Sequence, residues 1–367
     1  MAKLMLSALL FIGISSQALA VPSKISVSTS SYGQVYAPGD LIFQEEFNSF
    51  NKSLWHYEIN MAGGGNNEFQ IYNTLPENAW VSNGRMHIKP SWSVDSLFGG
   101  NWETLYNGHL KLEGCTDPPG SACERKAQYP NILQPVVSAR LRTKGSFSFT
   151  YGRIEARAKL PSGDWMWPAI WMLSEKAVYG GWPRSGEIDI MESRGNRQLF
   201  NPSGQHIGSE KAGSTLHFGP GWPHNGYWAA HGERNTAPGQ GYDRDFHIYE
   251  LEWTPSYMRF RIDGQQIKSV DPPAGGFFEL GRFPGDVPNP WVNASNFRMA
   301  PFDQDFHIII NVASGGSYFP KDSSPSPPWG STNTPFLDFM KARDDFRATW
   351  EGDNAAMQVD YIRVYAV

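Results

Sequence analysis

The sequence predicts an all-β protein built as a sandwich of two antiparallel sheets. Short stretches of alternating polar and apolar residues, separated by turn residues, recur from about residue 41 to the end of the chain. The 37 glycines and 27 prolines supply turns, while 40% hydrophobic and 14% aromatic residues supply a sizeable core. No long helical periodicity competes, and the segment from Pro335 to Arg347 is the one modest helix candidate. A length of 367 residues is compatible with a single large β domain.

Met1 to Ala20 has the make-up of a secretory leader. Lys3 gives the positive start, Leu4 to Ile14 an apolar run too short to span a bilayer, and Ala18-Leu19-Ala20 a cleavage site. The expectation is a secreted, extracellular chain in which residues 21–40 form a polar, Ser-rich arm. The main domain then covers residues 41–367. Its first strand is Leu41 to Phe47, followed by Trp55 to Ile59 and a flexible turn at Gly63-Gly64-Gly65. Trp80-Val81 and Arg85 to Lys89 flank Asn83-Gly84, the residue pair of a two-residue hairpin turn. Ala139 to Thr143, Ser146 to Thr150 and Tyr151 to Lys159 follow as strands, the last alternating cleanly. Phe246 to Trp253 and Met258 to Ile262, with Asp263-Gly264 after them, predict another hairpin. Phe306 to Val312 is apolar almost throughout, as a central strand would be, and Gln358 to Tyr365 closes the chain. Long loops are expected at 97–129, 200–243 and 272–299, and loops of that length in a compact domain are usually functional.

Charge and motifs exclude several classes. There are 31 basic and 36 acidic residues, giving −5; removing Lys3 with the leader gives −6. No basic stripe invites nucleic acid, and no segment after the leader is apolar for long enough to cross a membrane. H-E-x-x-H, G-x-S-x-G and phosphate-binding glycine loops are absent. The only cysteines, Cys115 and Cys123, pair if the chain is secreted and remain free thiols otherwise. Asn51-Lys52-Ser53 and Asn293-Ala294-Ser295 are glycosylation sequons if the source is a eukaryote.

The chemistry concentrates in Gly186-Glu187-Ile188-Asp189-Ile190-Met191-Glu192. Strict alternation puts Glu187 and Asp189 on one strand face and Glu192 on the other. One extra residue, a β-bulge at Met191, would return Glu192 to the face of Glu187. Carboxylates so close push one another's pKa upward, and glycoside hydrolysis uses such a pair, one ionised and one protonated. The plain alternative is a solvated acidic face. Neighbouring indoles argue for sugar: Trp165, Trp167 and Trp171 precede the motif, with Trp182 five residues before Glu187.

Further segments carry a resemblance: NNEFQIY (66–72), YGRIEARAKLP (151–161), WPAIWML (167–173), GEIDIMES (186–193), LHFGP (216–220), FHIYELEW (246–253), NVASGG (311–316) and DYIRVY (360–365). In these the chain resembles glycoside hydrolase family 16, in its laminarinase-like branch of secreted β-1,3-glucanases and invertebrate glucan-recognition proteins. The resemblance implies a β-jelly roll with a substrate cleft across a concave sheet. It also implies retaining hydrolysis of laminarin-type β-1,3-glucan with Glu187 as nucleophile, Glu192 as acid/base and Asp189 between them setting their ionisation. It carries substrate contacts over to Asn66, Asn67, Glu68, Arg140, Trp167, Trp171, Trp182, His217 and Asn311. No cofactor is implied for catalysis. A structural Ca²⁺ on the convex face would fall at Glu46, Gly84 and Asp360. The expected partner is the polysaccharide, and the default state is a monomer. The alternatives are a non-catalytic β-1,3-glucan recognition protein, and an enzyme of β-1,3(4)-glucan or galactan specificity.

Overall fold

A computed structural model describes residues 29–330 and 332–367. The leader at 1–20 and the arm up to residue 28 lie outside the described residues. Two large antiparallel sheets form the body. In the first, strands run in the order Gln265–Val270, Met258–Ile262, His247–Trp253, Gly152–Lys159, Met357–Tyr365, Arg85–Ile88, Ala79–Ser82, and Leu41–Glu45 also pairs with Met357–Tyr365. In the second the order is His231–Asn235, Lys211–His217, Glu187–Ser193, Met166–Ser174, Phe306–Ser314, Arg140–Arg142, His56–Tyr57, with Ser148–Phe149 also on Phe306–Ser314. A small third sheet holds Gln70–Tyr72 parallel to Val136–Ser138, which is antiparallel to Ser91–Trp92.

Side-chain alternation explains which way each strand faces. In Gly152–Lys159, Ile154, Ala156 and Ala158 are buried. The intervening Arg153, Glu155 and Arg157 join an ion-pair ladder on the outer face, where Arg153 meets Glu155 at 2.7 Å and Glu250 at 3.1 Å. Between the sheets, Trp253 from the first lies 5.5 Å from Phe306 and 5.6 Å from Phe149 of the second. Trp253 is fully buried, so truncating it to alanine would cost about 3–5 kcal/mol. Phe306–Ser314 is buried along its whole length, as its apolar run predicts for a central strand. At the Asn83-Gly84 turn both residues have positive φ, 53° and 66°, which is the twist a two-residue hairpin requires.

The structure departs from the sequence reading in the connections. The region 200–243, expected as loop, supplies the strands Lys211–His217 and His231–Asn235. Ala212, Gly213, Ser214 and Thr215 are small and all buried, so this strand shows no alternation of hydrophobic residues. Region 97–129 holds a helix, Trp102–Asn107, capped by the Asn101 side chain on the Thr104 N–H, and a hairpin of His109–Lys111 with Glu124–Lys126. The Cys115–Cys123 disulfide closes that hairpin loop. The helix candidate at 335–347 splits into Pro335–Lys341 and Arg343–Phe346, because Ala342 has ψ 0°. Of the arm, residues 30–35 form a small hairpin and Ser30 bridges to Thr150.

Glu46, Gly84 and Asp360 come from segments that meet along Met357–Tyr365. The two carboxylates, of Glu46 and Asp360, are already engaged. Glu46 accepts from Arg363 at 2.8 Å and from Gln44. Asp360 is paired with Arg157 and, at 3.7 Å, with Arg85. Guanidinium groups in those positions repel a divalent cation, so these side chains do not fit the Ca²⁺ site expected of them.

Candidate active site

Glu187–Ser193 lies between Met166–Ser174 and Lys211–His217. Against the former, Met191 pairs with Ile170 and Asp189 with Trp171, leaving Ile190 as the extra residue. The bulge therefore exists, one position earlier than the sequence suggested. It buries Ile188, Ile190 and Met191 and turns Glu187, Asp189 and Glu192 into one interacting group. Gly186 enters the strand at φ 78°, and a Cβ there would stand 2.8 Å from the Phe302 ring; only glycine fits both conditions.

Each acid has its own partner. Trp182 Nε1 donates to Glu187 Oε2 at 2.8 Å, and Trp167 Nε1 donates to Glu192 Oε1 at 2.9 Å. Asp189 is 3% exposed, with Oδ2 at 3.3 Å from His217 Nε2. His217 sits directly across the strand pair from Glu187, and its Nδ1 faces the Asn225 amide nitrogen at 2.8 Å. That amide favours the neutral imidazole, whereas the three acids favour the imidazolium; in both states Nε2 carries the proton toward Asp189.

Burial raises all three carboxyl pKa values. For Glu187 the His217 charge and the Trp182 hydrogen bond oppose the rise. Burial and then the Asp189 charge push Glu192 up to about 7. Burial and the Glu187 charge raise Asp189 as well. Burial alone would lower His217, but Asp189, Glu187 and Glu192 overcome it and push the imidazole up to about 10. Among the described residues, Glu187, Asp189 and His217 are the one group of acids and histidines whose ligand atoms all come within 4.8 Å of one another.

A second cluster lies beyond Trp171 on the same sheet. Trp171 Nε1 donates to Asn311 Oδ1 at 2.7 Å. Arg140, directly across from Asn311, lies 5.1 Å from the Trp171 ring. Its guanidinium donates to Glu58 at 3.2 Å and to the Tyr72 hydroxyl at 3.1 Å, and stands 3.8 Å from Glu68. Arg140 is thus held rigidly by protein groups. Glu68 is 3% exposed and accepts from Gln70 at 2.6 Å. It braces Arg140 from beneath and presents little surface. Asn66 and Asn67 sit on the adjoining Gly63–Glu68 turn, where the Asn66 carbonyl accepts the Ser317 N–H at 2.8 Å and Asn67 is exposed at φ 55°.

Sequence reasoning missed several rings. Tyr318 stacks on Trp167 at 4.1 Å and 7°, with Arg194 over its face at 4.0 Å. Trp222 is 76% exposed and lies 6.1 Å from Trp182, and Tyr227 lies 5.7 Å from His217. The available signal was GWPHNGYW (221–228), an aromatic-rich segment inside a Gly/Pro loop. Large exposed aromatics grouped in this way mark a binding surface.

The family model for glycosyl hydrolases family 16 matches residues 131–288, the stretch that holds Arg140, the indoles, the three acids and His217. A beta-1,3-glucan-binding protein of Penaeus monodon is 40% identical over 338 residues, which is 89% of this chain and 90% of that protein. This chain belongs to glycosyl hydrolase family 16. A glucan endo-1,3-beta-glucosidase of Cryptopygus antarcticus is 32% identical, covering 82% of this chain and 90% of its own length. Among solved structures, the laminarinase from Rhodothermus marinus superposes with a TM-score of 0.54 at 27% identity, over 89% of this chain and 97% of that one. The two stacked antiparallel sheets are those of the jelly roll expected of the family.

Proposed function

We propose that this protein is a secreted, retaining endo-β-1,3-glucanase acting on laminarin-type glucans without a cofactor. The observation that carries the reading is the unequal setting of two acids on one bulged strand. Glu192 is pushed up to about 7, while Glu187 faces the His217 charge and an indole N–H that hold its pKa back. In this reading Glu192 protonates the glycosidic oxygen as the Glu187 carboxylate bonds to the anomeric carbon and the C–O bond breaks. Water then attacks that carbon, its proton passes to Glu192, and the ester to Glu187 breaks. Retention needs the two carboxyl groups about 5–5.5 Å apart. Asp189 and His217 act as positioning residues, Trp171 and Trp182 line the sugar path, and Asn311 and Arg140 support Trp171.

Reducing-sugar release from laminarin, lichenan and agarose, run beside Glu187→Ser, tests this. Laminarin cleavage that falls by at least a thousandfold in the variant supports it. Laminarin binding with no release by the unaltered protein would sink the hydrolase reading. That outcome would favour a recognition protein, the reading supported by the name of the Penaeus monodon relative.

A further inference from the structure

A cavity of about 560 Å³ lies outside the acid cluster, between Ser91–Trp92 and the turns that follow Arg343–Phe346. It shares no residue with the site above. Packed rings run between them: the Phe69 and Phe339 ring centroids are 5.2 Å apart, and those of Phe339 and Trp92 5.8 Å. Its volume falls in the range of small-ligand sites, about 300–1,000 Å³.

Three indoles line it. Trp92 stacks on Trp350 at 4.5 Å and 18°, and Trp102, on the capped helix, is 36% exposed. The Arg343 guanidinium lies 4.8 Å from the Trp102 ring and 5.7 Å from the Trp92 ring. Its side chain is only 15% exposed, and its one ion-pair partner among the described residues is the Asp344 carboxylate at 3.6 Å, beyond hydrogen-bond reach. Five N–H donors are therefore oriented by two indoles and given no acceptor among the described residues. Arg347 lines it too, 3.6 Å from Asp344, and so do Lys89, Asp95 and Glu351. None of the last three makes a side-chain hydrogen bond or ion pair among the described residues.

These features define the ligand. Cations at Lys89, Arg343 and Arg347 beside carboxylates at Asp95 and Glu351 suit a group that both gives and takes hydrogen bonds. The exposed ring of Trp102 suits one with C–H surface. A sugar chain has both properties. We propose that this cavity is a second glucan-binding site, holding a segment of the polysaccharide while the acid cluster engages another. The choice of a β-1,3-glucan as ligand rests on the proposed function; the existence of a sugar site here does not.

The test is calorimetric titration of laminarihexaose into the full chain carrying Glu187→Ser, so that nothing is cleaved. Two binding sites are expected, falling to one in the added Trp102→Ala and weakened at least tenfold at the second site in Arg343→Gln. Thermal unfolding of both variants confirms that they fold. A single site that persists in Trp102→Ala but disappears in Trp171→Ala overturns the second site and leaves the cleft reading standing. A single site lost in Trp102→Ala and kept in Trp171→Ala supports the second site and removes the cleft reading. No binding at all overturns both.

Discussion

Replacing Glu192 by glutamine should stabilise the protein at alkaline pH while disabling it. Glu192 is raised from the ordinary value of 4.5 to about 7, so the folded state binds its proton more tightly than the unfolded chain does. For a raised pKa, the stabilisation is complete below the unfolded value and is lost as pH climbs through the folded one. A shift of about 2.5 units at 1.36 kcal/mol each makes ionised Glu192 cost on the order of 3 kcal/mol above pH 7. Glutamine removes that cost and still accepts the Trp167 N–H. At roughly 2.1 cal/mol/K of unfolding entropy per residue, over more than 300 residues, this corresponds to a Tm gain of about 4 °C. Differential scanning calorimetry of both proteins at pH 4.5 and pH 8 reads it out. The variant should match the parent at pH 4.5 and exceed it at pH 8, with laminarin hydrolysis down about 10²–10⁴-fold. An equal Tm difference at both pH values would show that packing, and not ionisation, separates the two, and the account of the site would fail.

Three other outcomes follow from the geometry. His217→Asn removes the charge that holds Glu187 and Asp189 down, so Glu187 stays protonated to higher pH; the acidic limb of the kcat/KM profile should move upward, and an unmoved limb contradicts the assignment. Trp171→Phe keeps a ring but takes the N–H from Asn311, which is 2% exposed. Leaving that oxygen unmet should cost about 1–3 kcal/mol, read as a lower urea midpoint at unchanged m-value. Removing divalent cations with EDTA should leave Tm unchanged, since Glu46 and Asp360 are paired with arginines; a fall restored by Ca²⁺ would show that those arginines yield to the ion.

The sequence read best where one local pattern decided the structure. The alternation of Arg153 to Lys159, the Asn83-Gly84 turn and the apolar run from Phe306 each specify an element by themselves, and each is present. The acid cluster was legible for the same reason, since the bulge is counted off Glu187, Asp189 and Glu192 in sequence. What escaped depends on residues far apart in the chain. Lys211–His217 is a strand of small side chains held by two neighbours, so its own composition resembles a loop. Glu68 is expected from the resemblance to touch substrate, yet it is buried beside Arg140, about seventy positions on. Trp222 and Tyr227 announce themselves only as aromatics in a turn-rich segment; their value lies in standing beside Trp182 and His217.

The energetics of the acid cluster bear on hydrolysis against recognition. Holding a neutral glucan needs indole faces and hydrogen-bonding groups and no poised carboxyl. Glu187, Asp189 and Glu192 add nothing to that purpose which an amide could not, and burial raises the pKa of each. At neutral pH they weaken the fold by the amount that Glu192→Gln should restore. Such a penalty, with an indole N–H directed at each of the two outer acids, favours the hydrolase proposed above over a recognition protein. A binding groove would be more stable with glutamines there. The Tm comparison at pH 8 and the Glu187→Ser assay therefore bear on the same point from opposite sides: the first measures what the acids take from stability, the second what they return as catalysis.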